Sequence, residues 1–148
     1  MDSVQKDFIV RDYNPSDYPE MILLWESLGL GNALRGDTEE VILSSLQHGG
    51  RLLILEHMPT AAIVGTSWIT VDGRRSYLHH FGIAISYQGE KLANLLLNRT
   101  LAIVKEIGLQ VKLEVHKTNH KAVYLYLKHG FSRLGDYDIY IIRDLNNL

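Results

Sequence analysis

The chain has 148 residues, 46% of them hydrophobic, and no cysteine. That is the size of one domain able to bury roughly 68–70% of its unfolded surface, and it excludes disulfides, thiolate metal sites and a cysteine nucleophile. Its 15 Lys and Arg stand against 17 Asp and Glu, for a formal charge of −2, and the charges are interspersed, so there is no basic stripe of the kind that binds nucleic acid.

No apolar run approaches membrane-spanning length, and the opening Met-Asp-Ser-Val-Gln-Lys-Asp lacks the apolar centre of a signal peptide. A cytoplasmic protein with no membrane partner is the expectation. With no repeat, low-complexity tract or linker, residues 1–148 are expected to form a single domain.

Residues 8–11 read as a first strand, and residues 14–17 as a turn leading into a helix, with Asp17 and Glu20 spaced as a capping box. Tyr18, Met21, Ile22, Trp25 and Leu28 then recur at helical spacing and predict a face that packs on a sheet. After a glycine-bearing connection, Asp37 and Glu40 open a second helix carrying Val41, Ile42 and Leu46, which Gly49 and Gly50 stop. Three β segments follow, at 51–57, 61–71 and 76–85, joined by short turns that predict antiparallel neighbours. A helix over 91–107 leads to an alternating strand over 111–115, and the crossover should make that strand parallel to its predecessor. A helix over 119–129 and a hairpin of 131–134 with 137–142, turning at Gly135 and Asp136, complete the order β-α-α-β-β-β-α-β-α-β-β. On the residues alone this is a mixed αβ layered sheet.

Two segments carry chemistry. Where the 76–85 strand gives way to the 91–107 helix, the chain reads Gln88-Gly89-Glu90-Lys91-Leu92-Ala93. A strand feeding a helix through a glycine-bearing turn leaves several backbone N–H groups aimed at one point, with the positive end of the helix dipole behind them, which makes an anion cradle. In the second segment, at about 100° per residue, Asn119, Ala122, Val123 and Tyr126 fall on one helix face, whereas Lys121, Tyr124 and Lys128 point elsewhere. The helix ends at Gly130-Phe131.

Together these segments resemble the GNAT superfamily of acyl-CoA N-acyltransferases, whose pyrophosphate loop reads [RQ]-x-x-G-x-[GA] and whose later helix reads N-x-x-A-x-x-x-Y and ends in G-F. The matching residues are Gln88, Lys91 and Ala93, then Asn119, Ala122, Tyr126, Gly130 and Phe131; Lys91 stands where the family has its central loop glycine. The resemblance implies an α/β GNAT-like layered fold, with a mixed, mostly antiparallel sheet of about six to seven strands flanked by four helices. It also implies an N-acetyltransferase moving an acetyl group from acetyl-CoA, as co-substrate, to a small-molecule or peptide amine by direct transfer in a ternary complex. A homodimer is common in the family. The alternative on the same fold is an acyl-CoA-binding or regulatory module whose chemistry has lapsed, for which Lys91 speaks and against which Tyr126 speaks.

By the same resemblance, Gln88, Gly89, Glu90, Lys91, Leu92 and Ala93 hold the pyrophosphate. Backbone groups of Phe81, Ile83 and Ile85 meet the pantetheine arm, with an N–H near Ile83 polarising the thioester carbonyl. Asn119 binds the carrier or caps its helix. Tyr126, a neutral donor at pH 7, protonates the leaving sulfur and touches the carrier. For the amine proton the candidate is His79, as base or water relay, because histidines of this strand serve so within the superfamily and imidazole titrates near neutrality. His80 is the weaker candidate. Strand alternation places Tyr77, His79 and Phe81 on one side and Leu78 and His80 on the other. The remaining histidines show no metal-ligand spacing, so no metal site is expected, and neither a Walker loop nor a Gly-x-Ser-x-Gly elbow is present. Residues 25–40 are expected to shape the acceptor pocket, where Asp37, Glu39 or Glu40 could attract a cationic amine.

Overall fold

The computed structural model describes residues 6–148; residues 1–5, which include most of the opening read above for a leader, and the side chain of Glu90 lie outside the described residues. The described residues form two compact units, one ending at Glu114 and the other Val115–Leu148.

The first unit is a five-stranded sheet with helices on both faces. Its strands are β1 (Phe8–Asp12), β2 (Arg51–His57), β3 (Ala62–Val71), β4 (Ser76–Ile83) and β5 (Val111–Leu113), adjacent in that order. β1 to β4 are antiparallel neighbours, as the short turns predict, and β5 joins β4 in parallel after the crossover. The helices that pack on this sheet among the described residues include α1 (Tyr18–Ser27), α2 (Glu39–Gln47) and α3 (Glu90–Ile107). Strand alternation divides the core in two. Met21, Leu24 and Trp25 of α1 and Ile42 of α2 pack with Leu52, Ile54, Ile63 and Trp68. Leu92 and Leu96 of α3 pack with Leu53, Leu55, Val64 and Ile83. The sheet is therefore covered on both faces.

Capping differs in detail from the sequence reading. The capping box lies one turn earlier, at Asn14 and Asp17, and opens a short 3-10 turn. Asp17 cannot cap α1 because its carboxylate holds Arg11 at 2.8 Å and accepts the Asn14 N–H at 2.8 Å. Arg11 in turn reaches Glu56 of β2 at 2.9 Å, while Glu20 accepts the N–H of Ile63 at 2.7 Å. The cap of α2 is Thr38, whose hydroxyl accepts the Val41 N–H at 3.2 Å, and Asp37 is left for another partner. β4 stops at Ile83, residues Ile85–Tyr87 form a 3-10 turn, and β5 ends at Leu113.

The second unit contains α4 (His120–Lys128) and a terminal segment without strands. The expected hairpin of 131–134 with 137–142 is not formed, so the sheet has five strands where six to seven were expected. Its turn explains part of this. Asp136 has φ 72° while Gly135 is not in the left-handed region. A two-residue hairpin needs positive φ at both central residues or at the first, and the opposite pattern splays the arms. The β-prone residues Tyr137, Ile139, Tyr140, Ile141 and Ile142 are accordingly exposed.

No helix among the described residues is long and apolar enough to cross a membrane, and no cluster of three or more His, Asp or Glu among them could hold a metal ion.

Candidate active site

The N-terminus of α3 is built where β4 ends. Gly89 is the cap residue with extended backbone, and Ala93 N–H closes the first turn on the Gly89 carbonyl at 3.2 Å. Glu90, Lys91 and Leu92 occupy the first turn, where backbone N–H groups point out of the helix end. Lys91 is the second helical residue and its side chain is exposed, so the backbone there needs no glycine freedom. The side chain of Leu92 is buried in the core beneath α3, which leaves only its backbone to serve the cradle. A Cβ on Gly89 would meet nothing within 4 Å, so the space in front of the turn is open.

Gln88 ties this turn to the strand, its side-chain amide donating to the Ile83 carbonyl at 3.0 Å. The Ala84 N–H bonds Val64 of β3 at 2.7 Å. By the alternation of an antiparallel ladder, the Ile83 N–H and carbonyl face the opposite edge of β4. On that edge the ladder with β5 covers Ser76–Leu78 and ends well before Ile83. The edge therefore offers a backbone donor at Ile83 beside the open N-terminus of α3, an arrangement that would fit the extended arm and pyrophosphate of acetyl-CoA. Ile85 lies in the 3-10 turn and is 73% exposed, outside the strand on which it was expected. The Phe81 side chain packs on the α3 face of the sheet.

β4 carries a bulge that simple alternation does not foresee. Trp68 pairs with His79 and Thr66 with Gly82, so Ser67 alone opposes both His80 and Phe81. His80 takes a left-handed conformation, φ 46°, at a cost of order 1–2 kcal/mol for a residue with a side chain. The expectation that His79 and His80 face opposite ways is corrected by this extra residue. Both rings meet Trp68, at centroid distances of 5.9 and 5.6 Å, and His80 also meets Trp25 edge-on at 4.5 Å. A buried relay locks the bulge: Trp25 Nε1 donates to Thr66 Oγ1 at 2.8 Å, and Thr66 Oγ1 donates to the His80 carbonyl at 2.7 Å.

The two imidazoles have different partners. His79 Nε2 meets the Thr70 hydroxyl at 2.8 Å, and burial, seconded by the neighbouring His80, holds its pKa below the ordinary 6.5. His80 Nε2 meets Asp37 Oδ2 at 2.9 Å, with the two side chains 19% and 13% exposed. Tyr18 fixes the Asp37 backbone by donating to its carbonyl at 2.8 Å. Two glycines let the 28–37 connection close on β4. A Cβ on Gly31 would collide with Asp37 Oδ2 and stand 2.7 Å from His80 Nε2, and one on Gly82 would stand 2.9 Å from Leu30 Cδ1. The Asp37–His80 pair and Gly31 were not assigned from sequence. Forty-three residues separate the partners, and Asp37 beside a helix start is accounted for by dipole preference alone.

In the second unit, Asn119 caps α4, its side chain accepting the Ala122 N–H at 3.3 Å. The other end is a Schellman motif. Phe131 N–H reaches the Tyr126 carbonyl at 3.0 Å, Gly130 N–H reaches Leu127 at 3.2 Å, and Gly130 has φ 97°. The Phe131 ring then packs on Tyr126 at 5.5 Å. The Gly-Phe of the sequence motif is therefore the device that ends α4 and braces Tyr126. Tyr126 is buried, and burial pushes its hydroxyl up to about 12, so the phenol remains a proton donor across the neutral range. The first unit thus joins Gln88 and the α3 N-terminus to Ile83 and holds His79 and His80 at the β4 bulge, and the second holds Asn119 and Tyr126 on α4.

The sequence pattern of the Acetyltransferase (GNAT) family matches residues 10–131. An acetyltransferase of Yersinia enterocolitica is 34% identical over 92 residues, a match spanning 61% of this chain and 62% of that protein's length. Among solved structures, a GNAT-family acetyltransferase of Staphylococcus aureus superposes with a TM-score of 0.77 at 22% identity, covering 86% of this chain and 84% of that one. The spermidine N-acetyltransferase of Vibrio cholerae, described as dodecameric, superposes with a TM-score of 0.70 at 21% identity, covering 88% and 82%.

Proposed function

Because the chain belongs to the GNAT acetyltransferase family, we propose that it is an N-acetyltransferase that carries an acetyl group from acetyl-CoA to an amine by direct transfer in a ternary complex, within one domain spanning residues 1–148. The observation that carries this reading is the end of β4. The Gln88 amide anchors the α3 turn to the Ile83 carbonyl, and the Ile83 N–H faces the edge from which β5 has departed. Bound acetyl-CoA supplies the activated thioester.

The residues of this chain supply the rest. Backbone N–H groups of Gly89 to Leu92, with the α3 dipole, hold the pyrophosphate, and Ala93 closes the turn behind them. The Ile83 N–H donates to the carbonyl oxygen, where charge develops during attack. Phe81 and Ile85 flank the arm, Asn119 orders the start of α4, and the Tyr126 hydroxyl gives its proton to the departing sulfur. For the amine proton β4 offers His79, as base or as relay through water, and His80 beside it; burial lowers the pKa of His79. The acceptor is a small-molecule or peptide amine. The spermidine acetyltransferase among the similar structures supports a cationic amine class, and its oligomeric description supports testing for a second copy of this chain as partner.

The test is thiol release from acetyl-CoA over a panel of polyamines, aminosugars and peptide N-termini, with calorimetry of acetyl-CoA and CoA in parallel. Both carriers are expected to bind and to raise the melting temperature, and at least one amine class to stimulate release. Failure of both carriers to bind at low-millimolar concentration overturns the reading.

A further inference from the structure

We propose that the His80–Asp37 pair at the β4 bulge is the group that takes the proton from the acceptor amine, through His80 Nδ1. This inference rests on the acetyltransferase reading and names which of two adjacent imidazoles carries the charge.

An ionised carboxylate only accepts hydrogen bonds, so the 2.9 Å contact with Asp37 Oδ2 places the ring hydrogen of neutral His80 on Nε2. Nδ1 is then a lone-pair acceptor, and among the described residues no hydrogen-bond partner meets it. A carboxylate on the far nitrogen both orients the ring and steadies the imidazolium once the proton arrives. His79 has a hydroxyl where His80 has a carboxylate, and burial disfavours its charged form. Of the two rings, His80 is the one with a carboxylate partner.

A histidine in the left-handed region, held by the Trp25–Thr66 relay and by Asp37 from a different element, is local strain maintained by its surroundings, which is how functional side chains are aimed. Gly31 makes room for the contact, because a Cβ there would occupy the position of the carboxylate. His80 lies three residues before Ile83, at most about 10 Å along a strand. That separation brings the proton acceptor and the donor to the carbonyl oxygen within reach of one reacting amine and thioester, directly or through one water. The groups facing His80 are Asp37 from the 28–37 connection, with Tyr18 of α1 behind its carbonyl, and His79 on the same strand. Trp25 of α1 and Thr66 and Trp68 of β3 complete its surroundings and carry no charge.

The protons balance. His80 Nδ1 accepts one proton from the ammonium, and the freed amine lone pair forms the C–N bond at the thioester carbonyl. The C–S bond breaks as the Tyr126 hydroxyl protonates sulfur, and the second nitrogen proton replaces the one that Tyr126 gave up. His80 then releases its proton to solvent, one per turnover.

The experiment compares wild type, His80→Asn and Asp37→Asn in full-length protein. Asparagine is chosen at position 80 because it tolerates the left-handed backbone and keeps the bulge. kcat/KM for the best amine is measured by thiol release from pH 6 to 9, with acetyl-CoA affinity by calorimetry and melting temperature in parallel. Each variant is expected to lose roughly 10²- to 10³-fold in kcat/KM at pH 7 and one ionisation of the profile, with partial recovery as the amine deprotonates unaided at higher pH. Acetyl-CoA affinity should stay within about twofold of wild type, and the double variant should fall no further than the worse single one. Folded variants that retain the wild-type pH profile overturn the proposal, as does a loss in His80→Asn with none in Asp37→Asn. A wild type that binds acetyl-CoA but releases thiol to no amine fails the acetyltransferase reading itself, and that outcome is distinct because the variants then have nothing to lose.

Discussion

Thr66→Val isolates the hydrogen-bond relay beneath the β4 bulge. Thr66 is fully buried, and its hydroxyl both accepts from Trp25 Nε1 and donates to the His80 carbonyl. Valine keeps the shape and the strand preference, so the substitution opens no cavity; it leaves a buried indole N–H and a bulge carbonyl without partners. Each orphaned group costs about 1–3 kcal/mol, which makes the expected loss about 2–6 kcal/mol. A domain of about 5–15 kcal/mol total stability survives the middle of that range. For a chain of this length, a loss of about 3 kcal/mol corresponds to roughly 6–12 °C in Tm. Thr66→Ser is the control, keeping the hydroxyl and removing one buried methyl, for about 1 kcal/mol. Urea unfolding followed by far-UV circular dichroism should give a lower midpoint for valine than for serine with unchanged slope. In a Trp25→Phe background the valine penalty should shrink, because one orphan is already gone. A valine variant at least as stable as the serine one refutes the relay as the support of the bulge.

Three further outcomes are expected. Tyr126→Phe should lower kcat by roughly 10²- to 10⁴-fold with acetyl-CoA affinity nearly intact, and an unchanged kcat with a chemistry-limited amine would return Tyr126 to packing. Lys91→Gly should weaken acetyl-CoA binding roughly two- to fivefold at low salt and less at high salt, as for an exposed charge near a helix N-terminus; tighter binding at both salts refutes this. His79 has a folded pKa below the ordinary 6.5, so the unfolded state binds more protons and the stability this residue confers is present above pH 6.5 and lost as pH falls through the folded value. Wild-type unfolding free energy should therefore drop more steeply below pH 6.5 than that of His79→Gln, and a steeper drop in the variant would reverse the sign of the argument.

Much of this protein is written in short-range chemistry. Asn119 caps α4 because an Asn side chain reaches an N–H three residues on, Gly130 ends it because only the left-handed region closes a Schellman motif, and turn residues set β2, β3 and β4 antiparallel. The turn from β4 into α3 is legible for the same reason, since strand, glycine and helix follow one another closely in the chain. What the tertiary structure alone decided is long-range pairing. A period of two separates His79 from His80, yet the β3–β4 ladder absorbs an extra residue and brings both rings to Trp68, because register belongs to two strands together and is not encoded in either. The segment 137–142 has strong β propensity and forms no strand, since a strand exists only through its ladder and the turn at Gly135 and Asp136 splays the arms. The Asp37–His80 contact joins residues with no periodic relation in sequence, and it depends on a glycine at position 31 whose role is visible only once the connection folds over β4.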